Sequence, residues 1–208
     1  MSVTGATRTP IHRYFSRTVR QPGPFHGGRP QQPVRALTVL TNHSLLPLAE
    51  RPDLYVQGVS GKTAAAYGNV VADPAEADVA VLRLRTPFEP RTGAFESYFH
   101  AGSLAFPEDE LKEILRLLGT VPTLVCVNLE RPAVLPEIAE RAAALVADFG
   151  ASDAALLDVA FGRARAEGRL PFELPRSMAA VAAARPDVPD DTGPGVPVRP
   201  RTGPVEHP

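Results

Sequence analysis

The sequence predicts an α/β fold: a three-layer sandwich with a mostly parallel central sheet of about five or six strands, helices on both faces, and disordered ends. Three observations carry this. Short, β-branched apolar runs recur through the middle of the chain, as strands buried on both faces require. Amphipathic helical patterns alternate with those runs at the spacing of a layered α/β fold. The Pro- and Gly-rich stretches that cannot build a core gather towards the two ends.

In order, strands are expected at 36–41, 53–56, 79–84, 123–129 and 144–148. The clearest helix covers 107–118, because it opens with Pro107 and three acids and sets Leu111, Ile114, Leu115 and Leu118 on one stripe. A second is expected over about 134–143. A third runs from Ser152, a natural N-cap, to Phe161, with Gly162 placed to end it. Domain organisation follows: a basic disordered leader over 1–34, a sandwich over 35–188, and a disordered Pro/Gly-rich tail over 189–208.

Composition narrows the function classes. The 208 residues carry 22 Lys and Arg against 23 Asp and Glu, a net charge of -1, which gives no field favouring nucleic acid or an anionic membrane. The leader differs from the mean: no acid precedes Arg35, while Arg8, Arg13, Arg17, Arg20 and Arg29 are scattered through it. That pattern is transit-peptide-like. A secretory signal, however, needs an apolar segment of about 7–15 residues, and a membrane helix about 20; neither pattern occurs. A soluble chain, cytoplasmic rather than secreted, is expected. The lone Cys126 sits in the apolar run Thr123-Leu124-Val125-Cys126-Val127 and reads as a small buried hydrophobe. His12, His26, His43, His100 and His207 lack metal-ligand spacing, so neither metal nor other cofactor is expected. Gly61-Lys62-Thr63 mimics the end of a phosphate loop, but that motif needs Gly five residues earlier, where Val56 stands. A nucleotide-binding domain is therefore the weakest reading.

In open α/β sheets functional groups gather beyond the carboxyl ends of the strands. After the expected strand 79–84 comes a stretch of about twenty residues, longer than structureless loops usually are. It concentrates Arg85, Phe88, Glu89, Arg91, Phe95, Glu96, Tyr98, Phe99 and His100. Sugar recognition needs this mixture: carboxylates transfer protons, aromatic faces pack on the ring, and Arg or His hydrogen-bond hydroxyls. Loop aromatics folded back onto the core would account for the same residues without any ligand.

The order of landmarks resembles the C-terminal α/β-sandwich domain of the family 3 glycoside hydrolases, which include β-glucosidases. The resemblance opens at Leu37-Thr38-Val39-Leu40-Thr41-Asn42 with Leu46-Pro47-Leu48 behind it. It continues through Ala77-Asp78-Val79-Ala80-Val81, Leu104-Ala105-Phe106-Pro107, and Val125-Cys126-Val127-Asn128-Leu129-Glu130-Arg131-Pro132. It continues with Leu156-Leu157-Asp158-Val159-Ala160-Phe161-Gly162 and Gly168-Arg169-Leu170-Pro171 and closes on Ser177-Met178-Ala179-Ala180-Val181 and Asp187-Val188-Pro189-Asp190, so that it covers roughly 36–189. Three places depart from the family: Thr41 stands where the family usually has Lys, Arg165-Ala166-Glu167 replaces the common Asn-Pro-Ser, and the aromatic ending expected after Asp190 is absent.

This resemblance implies a retaining mechanism, in which one carboxylate attacks the anomeric carbon and a second carboxyl protonates the leaving oxygen. The nucleophile of the family lies on an N-terminal barrel, and no Ser-Asp-Trp signature for it occurs here because the sequence has no Trp. The acid/base Glu comes from the sandwich loop. Glu89 is the first choice, since Pro87-Phe88-Glu89 follows the strand closely; Glu96 is the second. Burial beside Phe88, Phe95, Tyr98 or Phe99 would raise the carboxyl into the range a general acid needs, whereas pairing with Arg91 would lower it. Arg85, Phe88, Arg91 and His100 are the expected substrate contacts. The expected partners are a β-linked glycoside and a separate barrel domain or chain, with turnover near background from the 208 residues alone. A non-catalytic carbohydrate-binding or structural remnant is the alternative.

Overall fold

The computed structural model describes residues 32–89 and 100–184. The central sheet has six strands: β2 (Leu37–Asn42), β3 (Asp53–Gln57), β4 (Asn69–Val70), β5 (Val79–Arg85), β6 (Thr123–Asn128) and β7 (Ala144–Asp148). Their spatial order is β2-β7-β6-β5-β3-β4. All neighbours are parallel except β2, which runs antiparallel to β7 at one edge, with a register shift between Val39 and Thr41. The mostly parallel sheet expected from the sequence is thus a mixed sheet with one antiparallel edge. A separate parallel ribbon pairs β1 (Gln32–Val34) with β8 (Ala164–Ala166), so the last three residues of the stretch expected as leader are strand.

Helices cover both faces: α1 (Gly61–Ala64), α2 (Glu108–Thr120), α3 (Pro136–Arg141), α4 (Asp153–Ala160) and α5 (Met178–Ala183). The pleat sorts the core into two layers. On β5 and β6, Leu82, Leu84, Val125 and Val127 enter the layer holding Ile114 and Leu117 of α2 and Ile138 of α3. Val81, Leu124 and Cys126 enter the opposite layer, with Ala64 of α1 and Leu156 and Leu157 of α4. Leu124 through Val127 are fully buried, which is why β6 reads as a continuous apolar run rather than an alternating one. Among the described residues no helix is long and apolar enough to cross a membrane.

The helix ends have local causes. Three acids occupy the first turn of α2, where the helix dipole favours negative charge. Ser152 caps α4 by accepting the Ala155 N–H at 3.2 Å, and Gly162, at φ 69, turns the chain away beyond it. Helix α3 is shorter than the expected 134–143 because its flanks bond elsewhere: the Val134 N–H donates to the Leu104 carbonyl and the Ala143 N–H to that of Thr123. Gly168, in the Gly-Arg-Leu-Pro turn, crosses the start of β2. A Cβ there would stand 2.5 Å from the Leu37 carbonyl oxygen, so only glycine allows the approach.

Candidate functional site

Strands β3, β5, β6 and β7 end together, and the segments beyond them form one rim. After Arg85 the chain takes one further step alongside β6: the Thr86 N–H and hydroxyl both donate to the Asn128 carbonyl, at 3.2 and 2.9 Å. Pro87 has no N–H to continue the ladder, and the chain leaves the sheet. Phe88 and Glu89 follow, both exposed. The neck of the loop closes where the Glu89 N–H donates to the Ala101 carbonyl at 2.8 Å.

Past that neck, the Ser103 N–H donates to Oε1 of Glu89 at 3.0 Å. Gly102 makes this possible. It sits at φ 87, and a Cβ on it would fall 2.3 Å from Cδ of Glu89. The segment after β6 supports the same place from the side. Glu130 pairs its carboxylate with Nδ1 of His100, and the His100 ring stacks on Phe88 with centroids 4.0 Å apart and planes 17° from parallel. Arg131 Nη2 donates to the Gly102 carbonyl at 2.7 Å. Behind it, the Leu104 N–H meets Sδ of Met178 at 3.3 Å.

Of the residues singled out from the sequence, the structure brings Phe88, Glu89 and His100 together and sets Arg85 exposed at the end of β5. Glu96 and Arg91 lie outside the described residues. Sequence reasoning missed Ser103, Glu130 and Arg131 as neighbours of Glu89, although Glu130-Arg131-Pro132 had been quoted as a landmark. The arrangement offers a carboxylate with one oxygen anchored, beside an exposed aromatic–imidazole stack and a guanidinium. Such a group can give a proton to, or take one from, an oxygen brought to the rim.

A second polar cluster lies in the other layer. Arg83 interrupts the apolar run from Val79 to Leu84 in β5, and its guanidinium reaches Asp148 Oδ2 at 2.5 Å, Asp153 Oδ1 at 2.6 Å and the Ala151 carbonyl at 2.5 Å. Asp148 is fully buried and also accepts from the Gly150 and Ala151 N–H groups. Asp153 in turn accepts the Ser60 N–H at 2.9 Å, so the cluster ties the loop after β3 to the loop after β7. Burial alone would lower the Arg83 pKa, but hydrogen bonding and charge from Asp148, helped by Asp153, raise it on balance. Nearby, burial pushes the Cys126 thiol up to about 12, with the Asp148 charge adding to the effect. An inert buried thiol is what the sequence suggests. Arg83 is a strut that spends three of its N–H donors on partners within the protein.

A shallow cavity of about 280 Å³, lined by Arg51, Tyr67, Gly68 and Asn69 among others, opens where β3 and β4 begin. It shares no residue with the Glu89 rim.

No family model matches the sequence. Among curated proteins, β-glucosidase C of Emericella nidulans is 46% identical over 163 residues, covering 76% of this chain and 26% of its own length. A periplasmic β-glucosidase/β-xylosidase of Dickeya chrysanthemi is 41% identical, covering 76% of this chain and 25% of its own length. The chain thus spans about a quarter of the length of the relatives it matches. Among solved structures, the β-glucosidase of Listeria innocua in complex with glucose aligns with a TM-score of 0.56 at 16% identity, over 70% of this chain and 26% of that one. The β-glucosidase D2-BGL of Chaetomella raphigera gives 0.54 at 15%, over 73% and 30%. These two alignments establish a shared fold.

Proposed function

We propose that this chain, a C-terminal α/β sandwich of the family 3 glycoside hydrolase type, presents Glu89 as the acid/base carboxyl of a β-glucosidase reaction whose nucleophile comes from a barrel. The observation that carries the reading is the anchored carboxylate of Glu89 at the carboxyl rim of the sheet, close behind β5. In the first step a barrel carboxylate attacks the anomeric carbon while the Glu89 carboxyl protonates the departing oxygen. In the second, the Glu89 carboxylate takes a proton from water, which displaces the enzyme from the sugar. The two carboxyl groups need to stand about 5–5.5 Å apart.

The exposed Phe88–His100 stack suits the apolar face of a pyranose ring, and Arg85 suits its hydroxyls. Arg91 belongs to the same expected substrate set, and Glu96 stays the second choice for the acid/base role. The substrate class is a β-linked glycoside or oligosaccharide, in line with the β-glucosidase and β-glucosidase/β-xylosidase names of the relatives. The unit that performs this role is the stretch 35–188 together with β1 (Gln32–Val34), which pairs with β8. The reading favours the cytoplasm over secretion without assigning a compartment, and the periplasmic name of the Dickeya relative makes cell fractionation the check.

The experiment supplies the purified chain with and without a separately produced family 3 barrel and follows a chromogenic β-glucoside. Turnover near background is expected from the chain alone, and turnover above that of either part when both are present. Glu89→Gln should then lower kcat by about 10²–10⁴-fold, the usual contribution of a general acid/base. Retention of activity in Glu89→Gln with loss in Glu96→Gln would move the role to Glu96. No gain on adding the barrel, with sugar binding alone, would favour a carbohydrate-binding module.

A further inference from the structure

We infer that Arg131 is a positioning residue for Glu89, acting through the single peptide group that joins Gly102 to Ser103. The carbonyl of that peptide accepts from Arg131 Nη2 at 2.7 Å, and its N–H donates to Glu89 Oε1 at 3.0 Å. A cation and a carboxylate thus hold opposite ends of one planar, resonance-coupled unit. A guanidinium on the oxygen draws electron density from the amide, which makes the N–H a stronger donor; hydrogen bonds in series strengthen one another in this way. Both bonds are also charge-assisted.

Three features fix the relay. Gly102 at φ 87 turns the peptide so that its N–H faces Glu89, and a side chain at that position would strike the carboxylate. Arg131 follows directly on the sheet, since the Leu129 N–H donates to the Asp148 carbonyl at 2.8 Å beside β7. The third feature is the guanidinium itself. Its Nη1 is shielded from solvent and has no hydrogen-bond partner among the described residues, which costs stability rather than adding to it. The functional meaning of the relay rests on the reading of Glu89 as acid/base; the relay itself does not.

The test uses the full 208-residue chain, labelled with ¹⁵N, as wild type, Arg131→Met, Arg131→Lys and Glu89→Gln. The readouts are the proton shift and hydrogen-exchange rate of the Ser103 amide. In Arg131→Met the Ser103 N–H keeps its acceptor but loses the polarising guanidinium, and in Glu89→Gln the acceptor becomes a neutral amide oxygen, so in both that amide should move upfield and exchange severalfold faster. Arg131→Lys should recover most of both. The amides of Leu104 and Val134, bonded to Met178 and to the Leu104 carbonyl, serve as controls and should stay put. An unchanged Ser103 amide in Arg131→Met overturns the inference, as does an equal response at all three amides, which marks general loosening. With the barrel added, Arg131→Met should lower kcat and leave KM within about twofold. A responding Ser103 amide without any Glu89-dependent turnover sinks the proposed function alone. Glu89-dependent turnover with a silent Ser103 amide sinks the relay alone.

Discussion

Replacing Arg83 by Met leaves the buried Asp148 carboxylate without its cation while keeping an unbranched stem in the core. Breaking a buried ion pair from one side costs about 3–5 kcal/mol. Three donors to Asp148 survive the change, namely the Gly150 and Ala151 N–H groups at 2.9 and 2.6 Å and Asn128 Nδ2 at 3.3 Å. They hold the loss near the lower bound, about 3 kcal/mol. Asp153 adds little, because its side chain is 25% exposed and keeps the Ser60 N–H; an exposed pair is worth about 1 kcal/mol at most. In a domain of this size about 3 kcal/mol lowers Tm by roughly 6–12 °C. Urea unfolding followed by circular dichroism measures it, the chain having no Trp. The double variant Arg83→Met/Asp148→Asn should be more stable than Arg83→Met, since it removes the uncompensated charge. A loss under about 1 kcal/mol, or two effects that simply add, would refute the account of a buried strut.

Three further outcomes are expected. Gly102→Ala should lose the Ser103–Glu89 hydrogen bond and about 1–3 kcal/mol of stability to backbone strain, whereas Gly150→Ala, at φ 98 with nothing within 4 Å of the added Cβ, should show the strain alone; barrel-supplemented activity separates the two. Ile138→Ala empties a side chain that is 1% exposed between α3 and the sheet and should cost about 2–5 kcal/mol by urea unfolding. Cys126 gives a pH dependence: its folded pKa lies above the ordinary 9.0, so the unfolded chain releases the proton first and stability falls as pH rises from about 9 towards 12. Between pH 9 and 10 the slope from this thiol should grow from about 0.7 to about 1.2 kcal/mol per unit and be absent in Cys126→Ala.

How far the sequence reveals the molecule depends on whether a signal is local. Strand β7 is legible to the residue, and β6 nearly so, because strands buried on both faces are apolar throughout. Helix α2 carries its own start signal and stripe, although the deepest contacts are Ile114 and Leu117 rather than Leu115. By contrast β4 and β8 are two and three residues long, and both residues of β4 are exposed, so no apolar run marks them. Helix α5, a short Ala-rich turn capped by Ser177, has little stripe to display. The rim divides along the same line. Its loop stands out by length and composition, but Arg131 meets Gly102 across 29 positions and Arg83 meets Asp148 across 65, distances over which no spacing rule operates. Arg83, set between Leu82 and Leu84 in a run of buried residues, is the sequence signal from which the buried strut could have been found.

The most direct measurement of the central claim is leaving-group dependence in Glu89→Gln of the barrel-supplemented chain. A missing proton donor hurts most where the departing oxygen most needs a proton. The variant should therefore lose about 10²–10⁴-fold on alkyl β-glucosides and far less on a dinitrophenyl β-glucoside, with added azide yielding a β-glucosyl azide. Equal losses on both substrates, with no azide product, would contradict the claim that Glu89 is the proton donor.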